Sequence, residues 1–213
     1  LLGVTFRNSF QLEKLREQSV VEATLTLANE KADRLDKRII EQDNAVLSLV
    51  DVTDRDGFGQ QWLKVAARQT PTISNLFLVD LDSPAQEVVA FATRFPPLQA
   101  EAERRVFVRE LLPELEQGEP RTQLRHLHKT VDGQSHLVSY WQREARGRRL
   151  LLAAWHDVPR VVHDLFPALY SERDQNTRVN VVDESSRVVF GPSLTRGSFT
   201  LGRRFATTPY QWR

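Results

Sequence analysis

His126 and His128 stand two apart in residues 123–131, a stretch whose pattern predicts a β-strand, so both imidazoles leave the same face. Two imidazoles so placed could hold a metal ion if His136, on the next predicted strand, supplied a third ligand. They could also line a cavity in which a protonated His, or the guanidinium of Arg105, meets a carboxylate while Tyr140, Trp141 and Trp155 furnish apolar walls. The plainest alternative is a polar patch on an exposed strand face. The ligand cavity is the reading carried forward, with no metal and no cofactor expected.

Signatures of covalent and phosphoryl-transfer chemistry are missing. The sequence has no Gly-x-Ser-x-Gly elbow, no phosphate-cradling glycine loop and no His-Glu-x-x-His pair. With no Cys there is no thiol nucleophile, disulfide or cysteine-ligated zinc. Asp54-Arg55-Asp56-Gly57 resembles part of a calcium loop, but the first ligand position would fall on Val52 and the closing carboxylate on Leu63, so it reads as a solvated turn. The chain is therefore expected to bind rather than catalyse.

Several elements must position these side chains. Residues 11–50 contain neither Gly nor Pro, and Val21, Leu25, Ala28, Ala32, Leu35, Ile39, Val46 and Leu49 recur at heptad spacing, interrupted at Gln42. That predicts one long helix over residues 1–50 with a narrow apolar seam, facing either its own chain or a twin in a homodimer. A short helix at residues 60–68 follows. Residues 75–81 and 88–93 predict a hairpin turned at Asp82-Ser83-Pro84, and residues 99–117 a helix stopped by Gly118-Glu119-Pro120. Residues 123–131, 135–142 and 148–156 predict a meander with Asp132-Gly133 as its first turn. Two strands, a helix and three strands make an α+β unit: a five-stranded antiparallel sheet, expected to carry its helices on one face. Asp157 is placed to cap a connecting helix over residues 157–172, entered at Pro159 and open to a break at Pro167.

Composition narrows the function. Lys plus Arg total 29 against 28 Asp plus Glu, and 24 of the basic residues are Arg scattered along the chain, so no nucleic-acid partner is expected. No run approaches the roughly 18 apolar residues of a membrane span. The chain opens Leu1-Leu2-Gly3-Val4-Thr5-Phe6 and then turns polar at Arg7-Asn8, which reads either as the end of a membrane helix or as a frayed apolar terminus. With no Met even at its start, the sequence is expected to be a piece of a longer protein.

One internal echo organises the rest. Val79-Asp80, a turn and Val88-Val89-Ala90-Phe91 return as Val182-Asp183, a turn and Val188-Val189-Phe190. The two Asp lie roughly a hundred positions apart, the scale of a repeated small domain. The chain thus divides into a stalk helix (1–50), a first lobe (51–156), the connecting helix and the start of a second, incomplete lobe (173–213).

This order of elements resembles the double Cache (tandem PAS-like) extracytoplasmic sensor domain of membrane-bound bacterial receptors, notably sensor histidine kinases. The resemblance implies a membrane-tethered module on the periplasmic side of the inner membrane. It further implies a small solute bound in the membrane-distal lobe, and a signal passed through the long helix. Amino-acid-binding members carry a Tyr, four residues, an Arg, one residue and Trp-Tyr; here Arg105 and Phe107 fall at the Arg and aromatic positions, while Ala100 stands for the Tyr. That departure leaves open an organic acid, another small solute or no ligand. The full set of candidate contacts is Arg105, Phe107, His126, His128, Tyr140 and Trp155. The alternative is a cytoplasmic PAS-like or GAF-like regulatory module, dimerised through a coiled-coil helix.

Overall fold

The run without Gly or Pro lies within one helix of 48 residues, α1 (Leu2–Leu49), which ends where Val50 N donates to Val46 O and the Asp51 carboxylate accepts from Thr53 N and Oγ1. Glu30–Arg34 (2.6 Å) and Arg38–Glu41 (2.9 Å) pair along its solvent side. The computed structural model describes residues 2–116, 123–170, 178–193 and 201–213, with side chains from residue 13 onward. The seam faces the helix's own chain between Ala32 and Val46, where Leu35, Ile39 and Val46 are fully buried. Residues 13–20 are exposed throughout, including Leu15 (61%) and Val20 (48%), and Leu25 (38%) is exposed further along the helix.

The short helix α2 (Gln60–Gln69) buries Trp62 and Ala66 one turn apart, and Trp62 Nε1 donates to Thr70 Oγ1 (2.8 Å) just past its end. It begins at Gly59, whose φ of 71° is left-handed; a Cβ there would stand 2.3 Å from Ala92 Cβ, so both backbone conformation and packing demand glycine. Five strands follow: β1 (Ile73–Asp80), β2 (Glu87–Thr93), β3 (Arg125–Val131), β4 (Gln134–Ala145) and β5 (Arg148–His156). They form one antiparallel sheet in the order β2-β1-β5-β4-β3.

The expectation of helices on one face is corrected. Helices α1 and α2 cover one face over Leu76, Leu78, Trp141, Leu152 and Ala154, while α3 (Pro97–Val106) and the turns after it cover the other over Phe77, Val79, Tyr140, Leu151 and Trp155. The reason lies in the two central strands: β1 is buried at every position and β5 from Leu150 onward, so neither face can be left to water.

Helix α3 also ends before the expected 117. It widens into a π-turn (Phe107–Leu111) and tightens into a 3-10 turn (Leu112–Glu114) containing Pro113. The connecting helix α4 repeats this: Val158–Arg160, a π-turn at Val161–Leu165, then Phe166–Tyr170 with Pro167. Each proline lacks the N–H for a regular ladder and its ring crowds the carbonyl one turn back, and the widened turn makes room for it. Asp157 caps α4, accepting from Arg160 N (3.3 Å). The expected stops at Gly118-Glu119-Pro120 and near 171 lie outside the described residues.

A two-stranded ribbon, β6 (Val181–Val182) and β7 (Val188–Phe190), packs with α4 and the segment from Phe205 to Trp212 against α1, burying Leu35, Ile39, Phe166, Val181, Phe205 and Trp212 together. The two echoed Asp do the same job: Asp80 Oδ1 accepts from Asp82 N (3.1 Å), and Asp183 Oδ1 from Ser185 N (2.9 Å), each fixing the turn after its strand.

Candidate functional site

The strongest departure from apolar packing lies where α1 crosses the sheet. Gln42 and Asp43 interrupt the seam, and both are buried. Asp43 Oδ2 accepts from Ser139 Oγ on β4 (2.9 Å) and lies 3.1 Å from His126 Nε2 on β3; Oδ1 lies 3.1 Å from His156 Nε2 at the end of β5. His156 Nδ1 lies 3.0 Å from Thr72 Oγ1, and Thr72 donates through both N (3.0 Å) and Oγ1 (2.9 Å) to Gln42 Oε1. Since the Thr72 hydroxyl proton is committed to Gln42, His156 Nδ1 is the donor in its contact with Thr72. Its Nε2 is the ring atom that faces the carboxylate. Burial alone would push the Asp43 carboxyl up, but the charge of His156 and hydrogen bonds from His126 and His156 outweigh it and hold the carboxyl below its usual range.

Thus one helix residue is tied to three strands, beside apolar contacts that would let the helix slide. A buried charged network adds little net stability relative to an apolar substitute, but it fixes register, because any displacement strands a buried charge.

His126 and His128 do share a face, as expected, but they meet different partners. His128 accepts at Nδ1 from Gln211 N (3.1 Å), so its proton sits on Nε2, 2.7 Å from Ser135 Oγ. Its backbone N donates to Tyr210 Oη (3.0 Å), and its ring packs edge-on against Tyr210 and Trp212. Burial depresses its pKa to about 4; the charge of Glu184 works against this and His136 adds to it. The third metal ligand is corrected: His136 pairs in register with Lys129 and packs edge-on against Trp155, on the opposite face of the sheet from His126 and His128. Among the described residues no group of three or more His, Asp or Glu is placed to hold a metal.

The remaining candidates separate. Phe107 stacks on Phe77 at 3.8 Å, with the rings 6° from parallel, and is fully buried. Tyr140 is buried in the same cluster, its hydroxyl accepting from Glu116 N (3.3 Å). Arg105 is exposed near the end of α3. Trp155 contacts both Phe77 and Phe107 and also walls a cleft of about 650 Å3 between β4, β5, α4 and the β6–β7 ribbon. His136, His163, Glu103 and His156 lie along the same cleft. Burial, with the charge of Asp157 beside it, pushes the Glu103 carboxyl up.

Sequence reasoning missed Asp43, Ser139, Thr72 and His156. The signal available was Gln42-Asp43 falling inside an apolar seam, together with a His closing an otherwise apolar strand.

No family model matches the chain, and no curated protein matches it. Among solved structures it is similar to the ligand-binding domain of the Pseudomonas aeruginosa PAO1 amino-acid chemoreceptor PctC, in complex with GABA. The two share 13% identity at a TM-score of 0.45, over 80% of this chain and 75% of that one. Among the described residues no helix is long and apolar enough to cross a membrane.

Proposed function

We propose that this chain is an extracytoplasmic sensing module of a membrane-tethered receptor, a sensor histidine kinase by its order of elements. It binds a small solute against the first lobe and passes the event to α1. One observation carries the reading: Trp155 and His156 are consecutive on β5, both border the cleft, and His156 is bonded to Asp43 of α1. A solute that moves this strand end moves a group the helix cannot ignore, and it biases the helix by its differential affinity for the two arrangements. Of the six sequence candidates, Trp155 is the one assigned to direct contact. Phe107 backs it and Tyr140 belongs to the same buried cluster, while His126 fastens α1 and His128 the C-terminal segment. The seam continues toward the N-terminus through Val21 and Leu25, half-buried and exposed, and this is the surface on which two copies of α1 would pair.

A thermal-shift screen of small organic acids, amino acids and amines tests this. At about a hundredfold excess over Kd, a bound solute should raise Tm by roughly 5–10 °C. Glu103→Gln, which alters the cleft wall, should reduce the rise. If no class of solute shifts Tm, the ligand-binding reading fails.

A further inference from the structure

A second cleft, of about 560 Å3, lies lower on α1, between Thr24 and Ala32 of that helix, Tyr170 of α4 and the β6–β7 ribbon. The charged side chains that line it, among the described residues, are Lys31, Arg178, Arg203 and Arg213; no Asp or Glu does. The first cleft is mainly acidic instead, with Glu103, Asp157, Asp183 and Glu184 along its wall beside a single Arg, Arg187, which is paired to Asp183. In a chain whose net charge is +1, four cations around one cavity are a segregation of charge, not a reflection of composition.

Three of the cations are held in place. Lys31 lies 5.6 Å above the Tyr170 ring, and the Tyr170 hydroxyl donates to the Lys31 carbonyl (3.1 Å). Arg203 donates to Asn29 Oδ1 and Arg213 to Ser186 Oγ, both neutral acceptors that orient a guanidinium without cancelling its charge. Arg178, Arg203 and Arg213 remain exposed, and Thr24, Asn180 and Ser186 add neutral hydrogen-bonding groups. Guanidinium groups beside an ammonium and hydroxyls suit an acceptor-only ligand with planar or tetrahedral oxygens. We propose that this cleft binds a small dissolved anion carrying two or more negative charges, a carboxylate or phosphate. It is separate from the site proposed above and bears directly on α1.

Calorimetric titration with inorganic phosphate, succinate and citrate, at constant ionic strength near 0.15 M so that diffuse attraction is screened, tests it. At least one anion should bind saturably, and Arg178→Gln combined with Arg203→Gln should weaken it about tenfold or more. Both positions are exposed, so the variant should melt as the parent does. Lys64→Gln, an exposed cation on α2 away from the cleft, should leave the affinity unchanged. Three results would each overturn the proposal: no binding of any of the three anions, equal loss in the Lys64 control, or an unchanged affinity in the double variant. Sedimentation with phosphatidylglycerol vesicles completes the test: binding to vesicles without binding to any dissolved anion also overturns it, in favour of a lipid headgroup.

Discussion

Asp43→Ala is expected to destabilise the protein by about 3–5 kcal/mol, more than truncation of any exposed charge on α1, as read by urea denaturation near neutral pH. The side chain lost is fully buried and meets Ser139, His126 and His156. Removing it leaves a hydroxyl and two imidazoles buried without their common acceptor. Asp43→Asn should fall between parent and alanine variant, since it keeps one acceptor oxygen but turns an NH2 toward a donor. In contrast Glu30→Ala, which breaks an exposed pair with Arg34, should cost less than about 1 kcal/mol. A loss below about 1 kcal/mol in Asp43→Ala would mean that α1 is held by its apolar seam alone.

Acid should loosen the fold before the carboxylates titrate, and His128 is the reason. Its pKa near 4 in the folded chain lies below the ordinary value of 6.5, so the unfolded chain binds the proton more readily. The stability tied to neutral His128 is therefore fully present above about pH 6.5 and is lost as pH falls toward 4. By linkage the loss is about 2 kcal/mol at pH 5 and about 3 kcal/mol at pH 4. The structural consequence is local: a proton on Nδ1 cancels the bond from Gln211 N and releases the Tyr210–Trp212 segment from β3. His128→Gln should be less stable at pH 7.5 but should lose most of this dependence between pH 6.5 and 5. An equally steep decline in that variant would assign the acid sensitivity elsewhere. Asp43, with its lowered pKa, adds a further loss only at more acid pH, as it too becomes protonated.

The elements were legible because each announces itself locally. The long helix follows from its Gly- and Pro-free heptads, the β3–β4 hairpin from Asp132-Gly133, and the α4 cap from Asp157. The layering of helices on both faces was legible only in part. Residues 150–155 are apolar without alternation, which betrays a strand buried on both sides, yet nothing local says which helix covers which face. The π-turns before Pro113 and Pro167 were hidden because a proline in a helical pattern signals a break, and the break was absorbed by widening. The central network was hidden for a deeper reason: Asp43 and His156 are 113 positions apart and meet only through the fold. Likewise His126 and His128 were rightly placed on one face, but periodicity gives direction and not partners, so their tasks at Asp43 and Gln211 could not be read from it.

The central claim is that occupancy of the Trp155–His156 cleft reaches α1 through the bond between His156 and Asp43. Hydrogen exchange along α1, measured with and without a solute that raises Tm, tests it most directly. The account predicts altered protection of the amides around Ile39–Val46, where the helix is bonded to the sheet, and loss of that change in Asp43→Asn while the solute still binds. A solute that raises Tm yet leaves exchange along the whole of α1 unchanged would contradict it.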